Sequence, residues 1–133
     1  MTLRRPLLSA ALLAAAASWM RAGAADAATE QPFTPERLAE AQRRGAPILI
    51  HVNAPWCSTC ARQRPVIAST IADPRYADLV VLKVDFDSQK DALRALNVRQ
   101  QSTLIAFNGA QERARSAGET NADAIRALIA RTL

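Results

Sequence analysis

A chain of 133 residues, half of them apolar and 22 % charged, has room for one compact domain and not for two. Its formal charge is +5, but the 17 basic residues are scattered and form no aromatic-interleaved patch, so nucleic-acid binding has no support. Two cysteines and a single histidine are too few to close a four-ligand structural zinc site within one chain.

The first 27 residues are built differently from the rest. Arg4 and Arg5 precede an uncharged, leucine- and alanine-rich run from Pro6 to Met20, followed by small-residue sites at Ala22-Gly23-Ala24 and Ala25-Asp26-Ala27. That is the three-part layout of a cleaved secretory signal peptide. The run is shorter than the roughly 20 residues a spanning helix needs, so no permanent membrane anchor is expected. Arg4-Arg5-Pro6-Leu7-Leu8 also resembles a twin-arginine export motif. Cleavage after Ala27 would leave residues 28–133 as a soluble product, periplasmic or otherwise exported. Removing Arg4, Arg5, Arg21 and Asp26 leaves 14 basic and 11 acidic residues, net +3.

Along the mature chain, Gln31 to Arg44 reads as a helix with Thr34 as N-cap, Pro35 in its first turn and Gly45 as its stop. Ala46 to Ala54 reads as a strand, and its near-continuous apolar stretch suits a sheet covered on both faces. Ala61 to Ala72 is a helix bent at Pro65, whose ring removes one backbone hydrogen bond. Leu79 to Val84 is a second buried strand, Gln89 to Leu96 a short helix with Leu93 and Leu96 inward, and Thr103 to Phe107 a third strand. Asn108-Gly109 signals a hairpin. Gln111 to Ala117 alternates as an edge strand does, and Asn121 to Leu133 is a helix packing through Ile125, Leu128 and Ile129. The predicted order is αβαβαββα.

The chemistry lies in Trp56-Cys57-Ser58-Thr59-Cys60, placed between a buried strand and a helix. Cysteines three positions apart close too small a loop to staple a fold, so a reactive pair is expected. At a helix N-terminus the unpaired N–H groups favour negative charge, and the thiolate is the nucleophile of disulfide exchange. Cys57 is therefore expected to be the exposed attacking thiol and Cys60 the more buried resolving thiol. A buried or metal-bound pair uses the same spacing and stays open at this point.

The strand, the Trp-Cys-x-x-Cys and Pro65 five residues after the second cysteine together resemble the thioredoxin family. A second block, from Val80 through Val84-Asp85-Phe86-Asp87 and Leu96-Asn97-Val98-Arg99 to Thr103-Leu104-Ile105-Ala106-Phe107-Asn108-Gly109, is similar to the later half of that family. Asp73-Pro74-Arg75-Tyr76-Ala77-Asp78 resembles the C-terminal thioredoxin-like domain of the bacterial disulfide reductase DsbD. The resemblance implies a single thioredoxin-like α/β domain with a central mixed sheet flanked by helices. It implies a monomeric thiol–disulfide oxidoreductase acting on protein disulfides, with no cofactor, and Trp56 covering the cysteines.

Two positions depart from the family. Ser102 stands where the family has a cis-proline facing the cysteines. A cis bond before serine costs about 2.5–4 kcal/mol, against about 0.5–1 before proline, so a trans or strained Gln101–Ser102 peptide is expected. In the family this loop pairs with the substrate backbone and discourages metal binding, so substrate docking by Gln101 and Ser102 is one reading and a metal or iron–sulfur cluster shared between chains another. His51, six residues before Cys57, stands where thioredoxins carry a buried acid that shuttles a proton, and a neutral imidazole near Cys60 would serve the same end. Ser58-Thr59 lacks the histidine of strongly oxidising relatives. The expected direction is therefore reduction of protein disulfides, with a membrane-embedded thiol donor restoring the dithiol; an oxidant or isomerase is the alternative within the fold.

Overall fold

The computed structural model describes residues 28–133; the expected signal peptide, residues 1–27, lies outside the described residues. The elements are β1 (Glu30–Pro32), α1 (Pro35–Arg43), β2 (Pro47–Asn53), α2 (Ser58–Ile71), a 3-10 turn (Pro74–Tyr76), β3 (Val80–Asp85), α3 (Lys90–Ala95), β4 (Thr103–Asn108), β5 (Gln111–Ala117) and α4 (Ala122–Ala130). The strands form one mixed sheet in the order β1-β3-β2-β4-β5. The central strand β2 runs parallel to β3 and antiparallel to β4. This is the thioredoxin-like α/β fold expected from the resemblance.

Strand alternation assigns the two faces of the sheet. On one face Ile48, Ile50, Val52, Leu82, Val84, Ile105 and Phe107 pack with Ala41, Leu93 and Leu96 from α1, α3 and the end of α3. On the other, Leu49, Val81, Leu104 and Ala106 pack with Ile67 and Ile71 of α2 and Ile125, Leu128 and Ile129 of α4. Ile48, Leu49, Ile50 and Val52 are all fully buried, which is why this strand reads as a continuous apolar run instead of an alternating one. Each such buried side chain contributes about 1.5–3 kcal/mol relative to exposure, before entropy is counted.

One element departs from the sequence reading. Residues 30–32 are a strand, not the start of the first helix: they pair in parallel with Val81, Leu82 and Lys83 at the sheet edge. All three are exposed, so they carry no apolar period, and their order comes from backbone pairing. The helix begins at Pro35, where Thr34 caps it by accepting from Arg37 N at 3.1 Å. A second difference concerns α2, which begins at Ser58 and runs through Pro65 to Ile71 because Cys57 itself is the N-cap. The hairpin turn at Asn108-Gly109 forms between β4 and β5, with Gly109 at φ +56°. A Cβ there would lie 3.2 Å from the Gly45 Cα, so both the dihedral and the close approach of two backbones require glycine.

Candidate active site

Cys57 and Cys60 form a disulfide with Cα atoms 5.3 Å apart. Cys57 N donates to Ala54 O at 3.2 Å, which turns the chain off the end of β2, and Cys57 Sγ accepts from Cys60 N at 3.0 Å. The sulfur thus occupies the place a capping oxygen takes at other helix N-termini, aimed at the unpaired N–H groups of a 14-residue helix. Cys60 is fully buried and Cys57 is 4 % exposed. Both cysteines are buried, so Cys57 is not the exposed residue foreseen. In the oxidised state its sulfur is bonded to Cys60 and hydrogen-bonded into the first helical turn, which draws it against the protein.

The surroundings of the pair come from three segments distant in sequence. Ala54, Cys57 and Cys60 form a small buried cluster against which Phe86 packs. Phe86 is held by the turn after β3, where Asp85 accepts from Asp87 N and Ser88 N at 2.9 and 3.2 Å. The Trp56 ring stands edge-on to Phe86, with centroids 6.3 Å apart, and its Nε1 donates to both carboxylate oxygens of Asp87 at 3.1 and 2.9 Å. Trp56 nevertheless remains 60 % exposed, leaving a large apolar ring facing solvent beside the disulfide. Phe86 and Asp87 belong to the family-like block, but nothing in the sequence alone assigned them to the site.

The loop before β4 closes the other side. Ser102 N donates to Val52 O at 2.9 Å, and the same carbonyl lies 3.9 Å from Cys60 Sγ, so the loop and the resolving sulfur meet at one backbone oxygen. The Gln101–Ser102 peptide is trans, as expected for serine at this position, and Ser102 adopts φ +60°. A side chain in this left-handed region disfavours itself by about 1–2 kcal/mol, so the surroundings must hold it. Pro65 lies exposed in α2.

His51 is fully buried on the α2 face of the sheet. Its Nδ1 lies 3.2 Å from Glu30 Oε1, on the strand the sequence reading missed, and its Nε2 has no hydrogen-bond partner. Burial by itself would raise the Glu30 pKa, but the hydrogen bond with His51 and the attraction of the neighbouring His51, Lys83 and Arg64 side chains outweigh it and hold the carboxyl below its ordinary value of 4.5. Arg64 in turn donates to Asn53 Oδ1 at 2.7 Å, two residues along β2. The histidine is therefore one member of a polar group on the α2 face. Among the described residues, no three or more His, Cys, Asp or Glu side chains gather where they would hold a metal ion, and no helix is long and apolar enough to cross a membrane.

A family model described as thioredoxin matches residues 29–131. A thioredoxin of Chlamydia trachomatis serovar D is 31 % identical over 101 residues, which cover 76 % of this chain and 96 % of that one. Among solved structures, Trxlp from Edwardsiella tarda EIB202 is 42 % identical with a TM-score of 0.74, covering 76 % of this chain and 98 % of that chain. Oxidised thioredoxin O2 from Arabidopsis thaliana is 25 % identical with a TM-score of 0.65, covering 78 % and 92 %. Sheet order, a cysteine pair at the start of the helix after the central strand, and this match over most of the chain agree: the protein belongs to the thioredoxin family of thiol–disulfide oxidoreductases.

Proposed function

We propose that this chain is an exported reductase of protein disulfides. The observation that carries the reading is the Cys57–Cys60 pair at the N-terminus of α2, with the Cys60 N–H directed at Cys57 Sγ. In the reduced protein that donor and the helix dipole favour a Cys57 thiolate. The thiolate attacks one sulfur of a substrate disulfide, forming a mixed disulfide and releasing the other substrate sulfur as a thiolate. Cys60, losing its proton, then attacks Cys57 Sγ; the substrate leaves as a dithiol with two electrons gained, and the Cys57–Cys60 disulfide remains. His51, buried and paired with Glu30, is assigned the proton shuttle for Cys60. Trp56 and the Gln101–Ser102 loop flank the pair and are assigned to substrate docking, with Pro65 supporting α2.

The direction rests on Ser58-Thr59, which places no imidazolium beside the thiolate, and on the DsbD-like stretch Asp73–Asp78. The export assignment rests on the layout of residues 1–27. A membrane-embedded thiol donor would return the pair to the dithiol. Equilibration of the protein in glutathione buffers, read by thiol alkylation and mass spectrometry, tests the direction. A reduction potential near the roughly −270 mV of thioredoxin supports a reductase, whereas one of about −120 to −180 mV makes the protein an oxidant or isomerase. A periplasmic fraction in which the protein begins at Ala28 supports export; an intact Met1 terminus overturns it.

A further inference from the structure

Gln63 is a fully buried polar residue that disulfide exchange, as described above, does not use. It lies one turn after Cys60 on α2, and its side-chain amide donates twice: to Ser102 O at 3.0 Å and to Glu119 O at 2.9 Å. It therefore ties together two loops, the one preceding β4 and the one between β5 and α4. The Ser102 carbonyl also accepts from Gly118 N at 3.1 Å, while Ser102 N donates to Val52 O and Ser102 Oγ donates to Gln101 O at 2.5 Å. Every polar group of Ser102 is thus engaged. Gln63 is the single side chain of another element among these partners, and it reaches the loop from the helix that carries both cysteines.

Such a concentration of bonds has a physical cause. At φ +60° and without a ring, the backbone at Ser102 has no intrinsic reason to stay in this conformation, which most residues avoid. A buried amide that spends both its N–H groups on backbone carbonyls supplies the constraint from outside. We infer that Gln63 is a positioning residue: by clamping the Ser102 carbonyl it fixes the backbone of Ser102 in its left-handed conformation, which holds the preceding Gln101–Ser102 peptide in one orientation against the Cys57–Cys60 pair and thereby determines affinity for extended protein substrates. This inference rests on the proposal that a substrate backbone docks on that loop. Gln63 touches neither sulfur in this arrangement, so it acts on docking and leaves the reactivity of the thiols alone.

Gln63→Met and Gln63→Leu remove both donors at similar volume, and two variants guard against one failing to fold. Two substrates are compared: insulin, a protein disulfide, and dithiobis(nitrobenzoate), which offers no backbone. The protein is expressed from the full chain, purified and reduced; insulin reduction is followed with dithiothreitol as electron source, and the small disulfide is mixed in single turnover with reduced protein freed of dithiothreitol. The expected result is at least a fivefold rise in KM for insulin with kcat within twofold, an unchanged rate on the small disulfide, an unchanged reduction potential, and faster hydrogen exchange at the Ser102 amide. An unchanged KM for insulin, or equal loss on both substrates, overturns the inference. Wild-type protein inactive on both substrates would refute the reductase reading instead. Ser102 amide exchange then decides the clamp alone, and equal protection in wild type and variants overturns it.

Discussion

Replacing Ser102 by proline, the residue that the resemblance to the family implies at this position, is expected to destabilise this protein. Proline fixes φ near −65°, while Ser102 sits at +60°, so the loop cannot keep its shape. The substitution also deletes the N–H that donates to the buried Val52 carbonyl, a loss of about 1–3 kcal/mol. Moving the loop breaks the bonds from Gln63 and Gly118 to the residue-102 carbonyl, each contributing about 1 kcal/mol. Relief of the left-handed conformation returns about 1–2 kcal/mol, and a stiffer unfolded chain about 0.4–1. The balance is a destabilisation of roughly 2 kcal/mol, which for a domain of this size lowers Tm by about 8–16 °C. Thermal unfolding of the oxidised protein followed by circular dichroism measures it. Ser102→Gly is the control: it keeps the N–H and the dihedral, loses only the hydroxyl bond, and should melt within a few degrees of wild type. A Ser102→Pro variant melting at or above wild type would refute the reasoning, because the family's residue would then fit a loop that we describe as shaped for its absence.

Two further outcomes follow from the site. Cys60→Ser should trap a mixed disulfide between Cys57 and a protein substrate, visible on non-reducing electrophoresis, whereas Cys57→Ser should trap none; the reverse pattern would exchange the two roles. Glu30 carries a lowered pKa, so its contribution to stability is present above about 4.5 and disappears as pH falls through the lower folded-state value. Urea denaturation at pH 6 and pH 3 should therefore show a smaller acid loss in Glu30→Gln than in wild type, and an equal loss in both would show that the His51–Glu30 pair is not coupled to folding.

Local patterns made much of the fold legible. The apolar stretches Ile48–Ile50 with Val52 and Val81–Leu82 with Val84, the Thr34-Pro35 start and the Ile125, Leu128, Ile129 stripe each report a residue's own neighbours in the chain, and the structure buries or caps them as read, while Lys83 within β3 is exposed. The cysteine pair was legible for the same reason, since its spacing and its position between strand and helix are sequence-local. β1 was not legible: three exposed residues have no periodicity, and only the edge of β3 makes them a strand.

The parts of the site that surround the cysteines were decided by tertiary structure. His51 meets Glu30 across 21 residues, Trp56 meets Asp87 across 31, and Gln63 meets Ser102 across 39. Each partner is a common polar residue whose sequence context is unremarkable on its own. By itself the sequence determined the redox pair, the two-faced sheet and the departure of Ser102 from its family. What compensates that departure is a hydrogen bond between a helix and a loop, and it exists only because packing of α2 on the sheet brings Gln63 within 3.0 Å of the Ser102 carbonyl.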